Sequence, residues 1–98
     1  TTAELILIDV TPITATVSAG STLQYNAEGT YTDGSVLDIT NSVSWSSSDN
    51  GIASVNITGL ATGVSVGSVN IIASLDGIDD TVSLTVENLQ KELILFLL

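Results

Sequence analysis

The feature that most constrains this chain is an alternation of apolar and polar side chains with a period of two residues. Such a period is that of a β-strand with one buried and one solvated face. Asp33-Gly34, Asp49-Asn50-Gly51 and Asp76-Gly77 separate the alternating runs and are typical of tight turns. The pattern therefore predicts half-solvated antiparallel strands. The runs that carry it are residues 22–31, 42–46, 68–74 and 81–86.

The first apolar segment, residues 5–8, does not alternate. It fits either a strand buried on both faces or the start of a helix. We favour a strand, because so short a segment ahead of Asp9 and Pro12 cannot form a stable helix. Pro12 has no N–H to donate, so we expect it to mark an edge or a kink where the strand changes partner.

Three glycines, Gly59, Gly63 and Gly67, are spaced four residues apart. They fit tight bends around short strands at residues 60–62 and 64–66. Together with the alternating runs, these segments predict an all-β sandwich of seven to eight short antiparallel strands.

The apolar positions of the alternation also define a predicted core. Trp45 lies on the apolar side of its run, where an indole fills the gap between two sheets about 10 Å apart. The competing interpretation is an exposed tryptophan that stacks on a sugar. We expect the structural core to contain Leu23, Tyr25, Val43, Trp45, Ile71 and Leu84.

Composition limits the chemistry of this chain. Its 98 residues contain one Lys or Arg in total, no His, no Cys and eleven carboxylates, for a net charge of −10. Zinc sites built on His or Cys, Ser-His-Asp triads, Cys-His dyads and disulfides are therefore excluded within it. Binding of nucleic acid or phosphate is not expected without basic side chains. We predict that the chain is not an enzyme.

The length is that of one domain. The longest apolar run, residues 93–98, is far shorter than the roughly 20 residues of a transmembrane helix. We therefore expect no membrane insertion by this segment, and its start does not have the pattern of a signal peptide.

Carboxylates are the remaining candidates for a binding site. Asp76, Asp79 and Asp80 surround one predicted turn, and clustered turn carboxylates are ligands that calcium prefers. Their spacing is not that of an EF-hand, and Asp-Gly is a common hairpin turn without any metal. Calcium at these three residues is thus one hypothesis and an ordinary turn is the other. Glycoside hydrolysis by two carboxylates is not favoured, because so few aromatic residues cannot line a sugar cleft.

Serine and threonine number 13 each, and most occupy the polar positions of the alternation. We interpret them as solvated strand faces rather than as catalytic hydroxyls. The sequence Asn56-Ile57-Thr58 matches a glycosylation acceptor, but we interpret it as the approach to a turn.

The two ends of the sequence resemble each other. ELILI at residues 4–8 is nearly repeated as ELILF at residues 92–96. We therefore predict a domain over residues 1–87, followed by a linker and the possible start of a next repeat over residues 88–98. The alternative for residues 88–98 is a non-native or disordered tail.

Six sequence blocks, in order and register from about residue 5 to residue 86, closely resemble the group 2 bacterial immunoglobulin-like domain. They are VTP at 10–12, VSAG at 17–20, GTYTDGS at 29–35, DIT at 38–40, VSWSSSD at 43–49 and GLATGVS at 59–65.

This resemblance implies an immunoglobulin-like sandwich of the kind found in tandem arrays in bacterial surface proteins, such as intimin- and invasin-like adhesins and leptospiral surface proteins, and in some phage virion proteins. It implies a non-catalytic spacer or interaction module at the cell surface or outside the cell, with a surface domain of a phage virion as the alternative. The partners it implies are neighbouring repeats in the same chain, with a host surface protein or glycan as a further candidate.

An alternative function is a module that binds a glycan or host matrix protein directly through loops at one end of the sandwich. An exposed aromatic residue on those loops would favour it, whereas burial of Tyr25, Tyr31 and Trp45 would favour the structural role. Residues 1–90 contain ten carboxylates and no basic side chain, so copies of this domain are expected to repel one another at low salt.

Overall fold

A computed structural model describes residues 3–88 and confirms the predicted all-β sandwich. Over that range the chain contains ten strands and no helix, where the sequence predicted seven or eight strands. In chain order the strands are β1 (Leu5–Thr11), β2 (Thr14–Ser18), β3 (Thr22–Gln24), β4 (Asn26–Tyr31), β5 (Val36–Asp38), β6 (Ser44–Ser47), β7 (Ala53–Val55), β8 (Leu60–Gly63), β9 (Gly67–Leu75) and β10 (Ile78–Glu87). Most of the predicted segment 88–98 lies outside the described residues.

The difference in strand number has two causes. The predicted run 22–31 is divided into β3 and β4 at Tyr25, and the three-residue strands β5 and β7 are too short to show an alternation. One predicted strand was wrong, because residues 64–66 form a loop. Val64 N and Ser65 N both donate to the carbonyl oxygen of Ile52, at 2.8 and 3.2 Å.

The strands form two layers. In the first layer, the sheets β1-β4-β5 and β3-β8-β7 are connected because β3 leads into β4 across Tyr25. Tyr25 N donates to Gly59 O at 2.8 Å, which extends the pairing of β3 with β8. The second layer is the four-stranded sheet β2-β10-β9-β6.

Pro12 is the point at which the chain changes layer, as its position predicted. Before it, β1 pairs with β4 in the first layer, and after it β2 pairs with β10 in the second. The Thr11-Pro12 peptide is cis. After this step, β2 runs parallel to its new partner β10. The prediction of a purely antiparallel sandwich is corrected at this one strand pair; the other pairs of residues 3–88 are antiparallel.

The β9–β10 hairpin is the longest ladder of the second layer, with nine residue pairs in register. Its turn is the predicted Asp76-Gly77, with φ of 53° and 80° at the two residues. Positive φ at both central residues is that of a type I′ turn, whose twist matches that of the strands it joins. Glycine adopts such a φ without steric cost, and aspartate tolerates it.

The core lies between the layers and follows the alternation. In β10, Val82, Leu84 and Val86 are buried, while Thr81 and Ser83 are exposed. Burying an aliphatic side chain of this size contributes roughly 1.5–3 kcal/mol. The other buried hydrophobic residues are Ile8, Val10, Tyr25, Ala27, Ile39, Val43, Ala53, Ala61, Val69, Ile71 and Ala73.

The predicted strand at residues 5–8 is confirmed as the start of β1. Its irregular pattern has a structural cause, since the register shifts between Leu5 and Leu7. Ile8 is consequently buried whereas Ile6 and Leu7 are about half exposed. No helix in the described range has the length and apolar character needed to span a membrane.

Candidate functional site

The six predicted core residues occupy two kinds of environment. Tyr25, Ile71 and Leu84 are fully buried and Val43 nearly so. Leu23 and Trp45 are half-buried and pack against the core from its edge.

Trp45 connects the two layers. It lies on β6 in the second layer, and its ring centroid is 6.2 Å from that of Tyr25 in the first. A side chain added at Gly59 would meet the indole at 3.0 Å and Tyr25 O at 2.9 Å. Trp45 Nε1 donates to Thr40 O at 2.8 Å, so the polar edge of the indole is satisfied. Gly59 leaves the space that the indole occupies.

Tyr25 brings an unusual group into this interior. Its hydroxyl is buried and has no hydrogen-bond partner among the described residues. Burial disfavours the charged phenolate and raises the pKa of Tyr25 to about 12. The side chain is therefore neutral at physiological pH and packs in the core.

Three calcium candidates were predicted from the sequence, and the structure separates them. Asp76 is exposed in the hairpin turn and Asp79 is exposed on β10. Asp80 Oδ2 accepts a hydrogen bond of 2.8 Å from Val10 N on β1. Over residues 3–88, the structure brings together no group of three or more carboxylates able to hold a metal ion. Asp80 instead joins β1 to the second layer, a role that only the tertiary structure reveals.

Several other polar turn residues accept hydrogen bonds from within their own turns. Asp33 Oδ1 accepts from Ser35 N and Oγ, and Asn56 Oδ1 accepts from Thr58 N and Oγ1. Asn56 thus sits in the turn between β7 and β8, where the sequence predicted a turn approach. The spacing Asx-x-Ser/Thr is a sequence signal for such turns.

Asp38 forms a similar turn that reaches the core. Its Oδ1 accepts from Thr40 Oγ1 at 2.5 Å and from Thr40 N at 3.0 Å. Buried Thr40 in turn accepts from Ala27 N through Oγ1, at 3.0 Å. The hydrogen bonds from the side chain and backbone of Thr40 hold the pKa of Asp38 below its ordinary value of 3.8. A pKa that is lower in the folded state stabilises the folded protein at pH values above the unfolded-state pKa. This stabilisation is lost as the pH falls through the folded-state pKa.

The outer face of the first layer carries a line of carboxylates, which we call the acidic row. Asp9 on β1 is in register with Glu28 on β4, and Glu28 is in register with Asp38 on β5. All three side chains are exposed. Directly opposed residues have Cβ atoms about 4.5–5.5 Å apart, so like charges here repel. The sequence did not predict this row, because it depends on strand register.

The outer face of the second layer is different, and we call it the hydroxyl face. Carboxylates on this face occur only at the two ends of β10, as Asp79 and Glu87. Ser68 and Thr85 face each other with their hydroxyl oxygens 3.4 Å apart. A shallow depression of about 110 Å³ lies beside Asn70. The outward residues of β2, β6, β9 and β10 that form the face are Thr14, Thr16, Ser18, Ser44, Ser46, Ser68, Asn70, Ile72, Ser74, Thr81, Ser83 and Thr85.

The chain enters and leaves the sandwich at opposite ends. At the entry pole, a pocket of about 330 Å³ is lined by Ala3, Glu4, Leu5, Tyr31 and Asp76. Asp76 directly precedes Gly77 and β10, which runs from Ile78 to Glu87. At the exit pole, Ala19 N donates to Glu87 O and Gly20 N donates to Gly63 O, each at 2.9 Å. The length of β10 therefore separates the two poles.

Comparison with known proteins places this architecture in a family. Residues 7–86 match the family described as bacterial Ig-like domain (group 2). A segment of ice-binding protein 1 from Shewanella frigidimarina (strain NCIMB 400) is 43% identical over 86 residues. That segment covers 88% of this chain and 10% of the relative, so the chain spans about a tenth of the relative's length.

Solved structures of the S-layer protein SbsC have the same fold. Its domains 4 and 5 match with a TM-score of 0.76 and 20% identity, covering 87% of this chain and 53% of that one. A structure of its domains 1–6 matches with a TM-score of 0.77 and 20% identity, covering 89% of this chain and 13% of that one. At this identity, the likeness is one of fold.

Proposed function

Because the chain belongs to the bacterial Ig-like domains of group 2, we propose that it is a non-catalytic structural repeat that spaces its neighbours along a bacterial surface or secreted protein. The observation that carries this proposal is the position of the chain ends. The chain enters beside Leu5 and Asp76 and leaves after Glu87, at the opposite pole. A domain with its ends at opposite poles lengthens a chain, whereas one with adjacent ends does not.

The size of the step follows from β10. Its ten residues run between the poles, and a strand rises about 3.3 Å per residue. Each repeat therefore adds roughly 33 Å of rigid length, plus the linker.

The relatives support a position within a longer chain. The matched segment is 10% of ice-binding protein 1 and 13% of the SbsC structure of domains 1–6. The ice binding in the name of the first protein is a property of that whole protein. We propose that a segment of this kind supports the part that binds ice and does not itself bind it. The near-repeat of residues 4–8 at 92–96 supports a linker at residues 88–91 and neighbouring repeats as partners.

Charge supports an extended arrangement. Ten carboxylates and no basic side chain occur in residues 1–90. Adjacent copies therefore repel over a distance of about 10 Å at 0.1 M salt and further at lower salt. This repulsion opposes folding back of one repeat onto the side of the next.

Direct recognition of a glycan or host protein through loop aromatics has less support. Tyr25 is buried, and Tyr31 and Trp45 are half-buried, so none of the three provides the exposed aromatic platform on which that alternative depends. A position in a phage virion, the alternative location, is compatible with the same spacing role.

Small-angle X-ray scattering of one, two and three copies, each joined after residue 91 to residue 4 of the next, tests the proposal. We expect the maximum dimension to increase by roughly 33–45 Å per copy, the length of β10 plus a short linker. A set of proteins with a long Gly-Ser linker in place of residues 88–91 provides the flexible control. If the maximum dimension barely grows with copy number, the repeats fold back on one another and the proposal fails.

A further inference from the structure

A loop at the exit pole displays two valines, and we call residues 64–66 the valine loop. Val64 and Val66 are 53% and 62% exposed. The loop is nevertheless fixed, because Val64 N and Ser65 N donate to Ile52 O and Ser65 Oγ donates to Gly51 O at 2.6 Å. These bonds present the valine side chains to solvent in a defined geometry.

A second group of exposed aliphatic residues lies at the entry end of the first layer, next to the pocket at the entry pole. Ile6, Leu7, Val36 and Leu37 are 49–54% exposed. Leu7 and Val36 are in register with Thr30 from either side, on the outer face of the first layer and one residue from the pocket-lining Tyr31. Leu37 is in register with Gly29 and lies exposed on the other side of the edge strand β5. We call these four residues the entry patch.

The distribution of exposed apolar side chains is uneven. The described part of the chain has eight large exposed hydrophobic residues, and six of them belong to the valine loop or the entry patch. Only Ile13 and Ile57 lie elsewhere. Isolated exposed apolar residues are normal on a protein surface, whereas groups of them indicate contact sites.

We propose that consecutive repeats dock head to tail, with the valine loop of one repeat against the entry patch and pocket of the next. This inference rests on the spacer function proposed above and names the surfaces through which it acts. The chain itself brings these surfaces together. Residues 88–91 span at most about 13 Å when extended, so the exit pole of one repeat lies next to the entry pole of its successor.

A neighbouring repeat fits these surfaces better than an independent partner does. Stable association of separate proteins buries more than about 1,000 Å², which a few side chains at one pole do not provide. A covalently linked neighbour is present at an effective concentration in the millimolar range, so a small apolar contact is sufficient.

The charges at the poles determine how salt affects this contact. Glu4 and Asp76 line the entry pocket and Glu87 ends the strand at the exit pole. Docking therefore brings carboxylates together around an apolar centre. Added salt screens their repulsion and strengthens the apolar contact, so docking should increase with salt.

The test uses a two-copy protein in which residues 4–98 follow residue 91 of the first copy. The rotational correlation time of each repeat is measured by ¹⁵N relaxation at low and high salt. We expect both repeats to tumble together at high salt, with a correlation time at least about twofold that of the single chain because the mass of the rigid body doubles. Val64→Ser with Val66→Ser in the first copy should return both repeats towards the single-chain value.

The matched control carries Ile13→Ser with Ile57→Ser in the first copy, which removes more exposed aliphatic surface than the valine variant does, but away from the poles. It should tumble like the parent. Unfolding of each single-chain variant in urea verifies that the variants fold. Independent tumbling of the parent at every salt concentration, or no difference between the valine variant and the control, would overturn the docking. In either case, a maximum dimension that still increases with copy number in small-angle X-ray scattering would leave the spacer function intact. The repeats would then form a flexible array.

Discussion

The two layers of the sandwich differ in regularity and in the chemistry of their outer faces. The second layer has the long β9–β10 hairpin and the hydroxyl face, on which Asp79 and Glu87 occur only at the ends of β10. The first layer has short, interrupted strands, a register shift in β1 and three carboxylates in one row across its face. Both faces are solvated. The face of the second layer is hydrated mainly through hydroxyl groups, and that of the first layer through carboxylates.

The net charge of −10 therefore does not indicate how the carboxylates are distributed over the two outer faces. Alternation determines which side chains point outwards, whereas register determines which of them meet. On the second layer, register places hydroxyl opposite hydroxyl at Thr85–Ser68 and at Ser44–Ser74. On the first it opposes Asp9, Glu28 and Asp38, at a cost that the interior must offset.

Trp45 packs between the layers, and its removal should have the largest effect. We expect Trp45→Ala to lower the free energy of unfolding by about 3 kcal/mol, at the lower end for a large aromatic because the side chain is half-buried. Trp45→Phe keeps most of the packing but loses the donor to Thr40 O, so it should cost less. Urea unfolding at pH 7 measures both. An alanine variant as stable as the parent would mean that the layers are held together elsewhere.

Gly59, in the first layer, should be the next most sensitive position. It has φ of +81°, and a Cβ there would meet Tyr25 O and the indole. We expect Gly59→Ala to cost about 2 kcal/mol, from backbone strain and displacement of Trp45. Gly34→Ala is the matched control, since Gly34 has φ of +86° and nothing within 4 Å. Equal losses in thermal unfolding would contradict the close approach at Gly59.

Thr40 has a buried hydroxyl in the first layer, which can be compared with a solvated hydroxyl of the hydroxyl face. Thr40→Val leaves Ala27 N without its acceptor and should cost about 1.5 kcal/mol, the penalty for an unsatisfied buried group. Thr81→Val on the hydroxyl face removes a solvated hydroxyl and should change stability by no more than about 0.5 kcal/mol. Chemical denaturation of the pair provides the measurement. If both substitutions have the same effect, the Asp38–Thr40–Ala27 connection does not stabilise the fold.

The acidic row should give the smallest effect, and one of opposite sign. Glu28→Gln removes the middle charge and should stabilise the protein by about 0.5 kcal/mol at low salt. At 1 M salt the gain should largely vanish, because the Debye length falls to about 3 Å. Asp79→Asn is the control, since Asp79 faces Ser74 rather than another carboxylate. A Glu28→Gln gain that is independent of salt would show that repulsion in the row is not its cause.

The regular part of the molecule was predictable from the sequence, because local patterns determine it. The alternation in residues 68–74 and 81–86 and the turn at Asp76-Gly77 specify β9, β10 and their hairpin, and Pro12 marks the change of layer. What escaped prediction depends on contacts between residues distant in sequence. The valine loop is held by Ile52, and Asp80 is directed to Val10 by packing of the two layers.

The same limit applies to the candidate sites. Asp76, Asp79 and Asp80 are close in sequence, but neighbouring residues of a strand point to opposite faces, so proximity along the chain does not bring these three carboxylates together. The acidic row is formed by residues from three strands and has no sequence signature. The poles likewise become visible only when the path of the chain is known.

The central claim is that the chain enters and leaves at opposite poles, and a distance between the poles tests it most directly. The chain has no cysteine, so Glu4→Cys with Glu87→Cys gives two unique sites for spin labels. The account predicts an electron–electron distance distribution centred at about 30 Å or more, the length of β10. A distribution centred below about 20 Å, less than two-thirds of that length, would place both ends at one pole and contradict the spacer role.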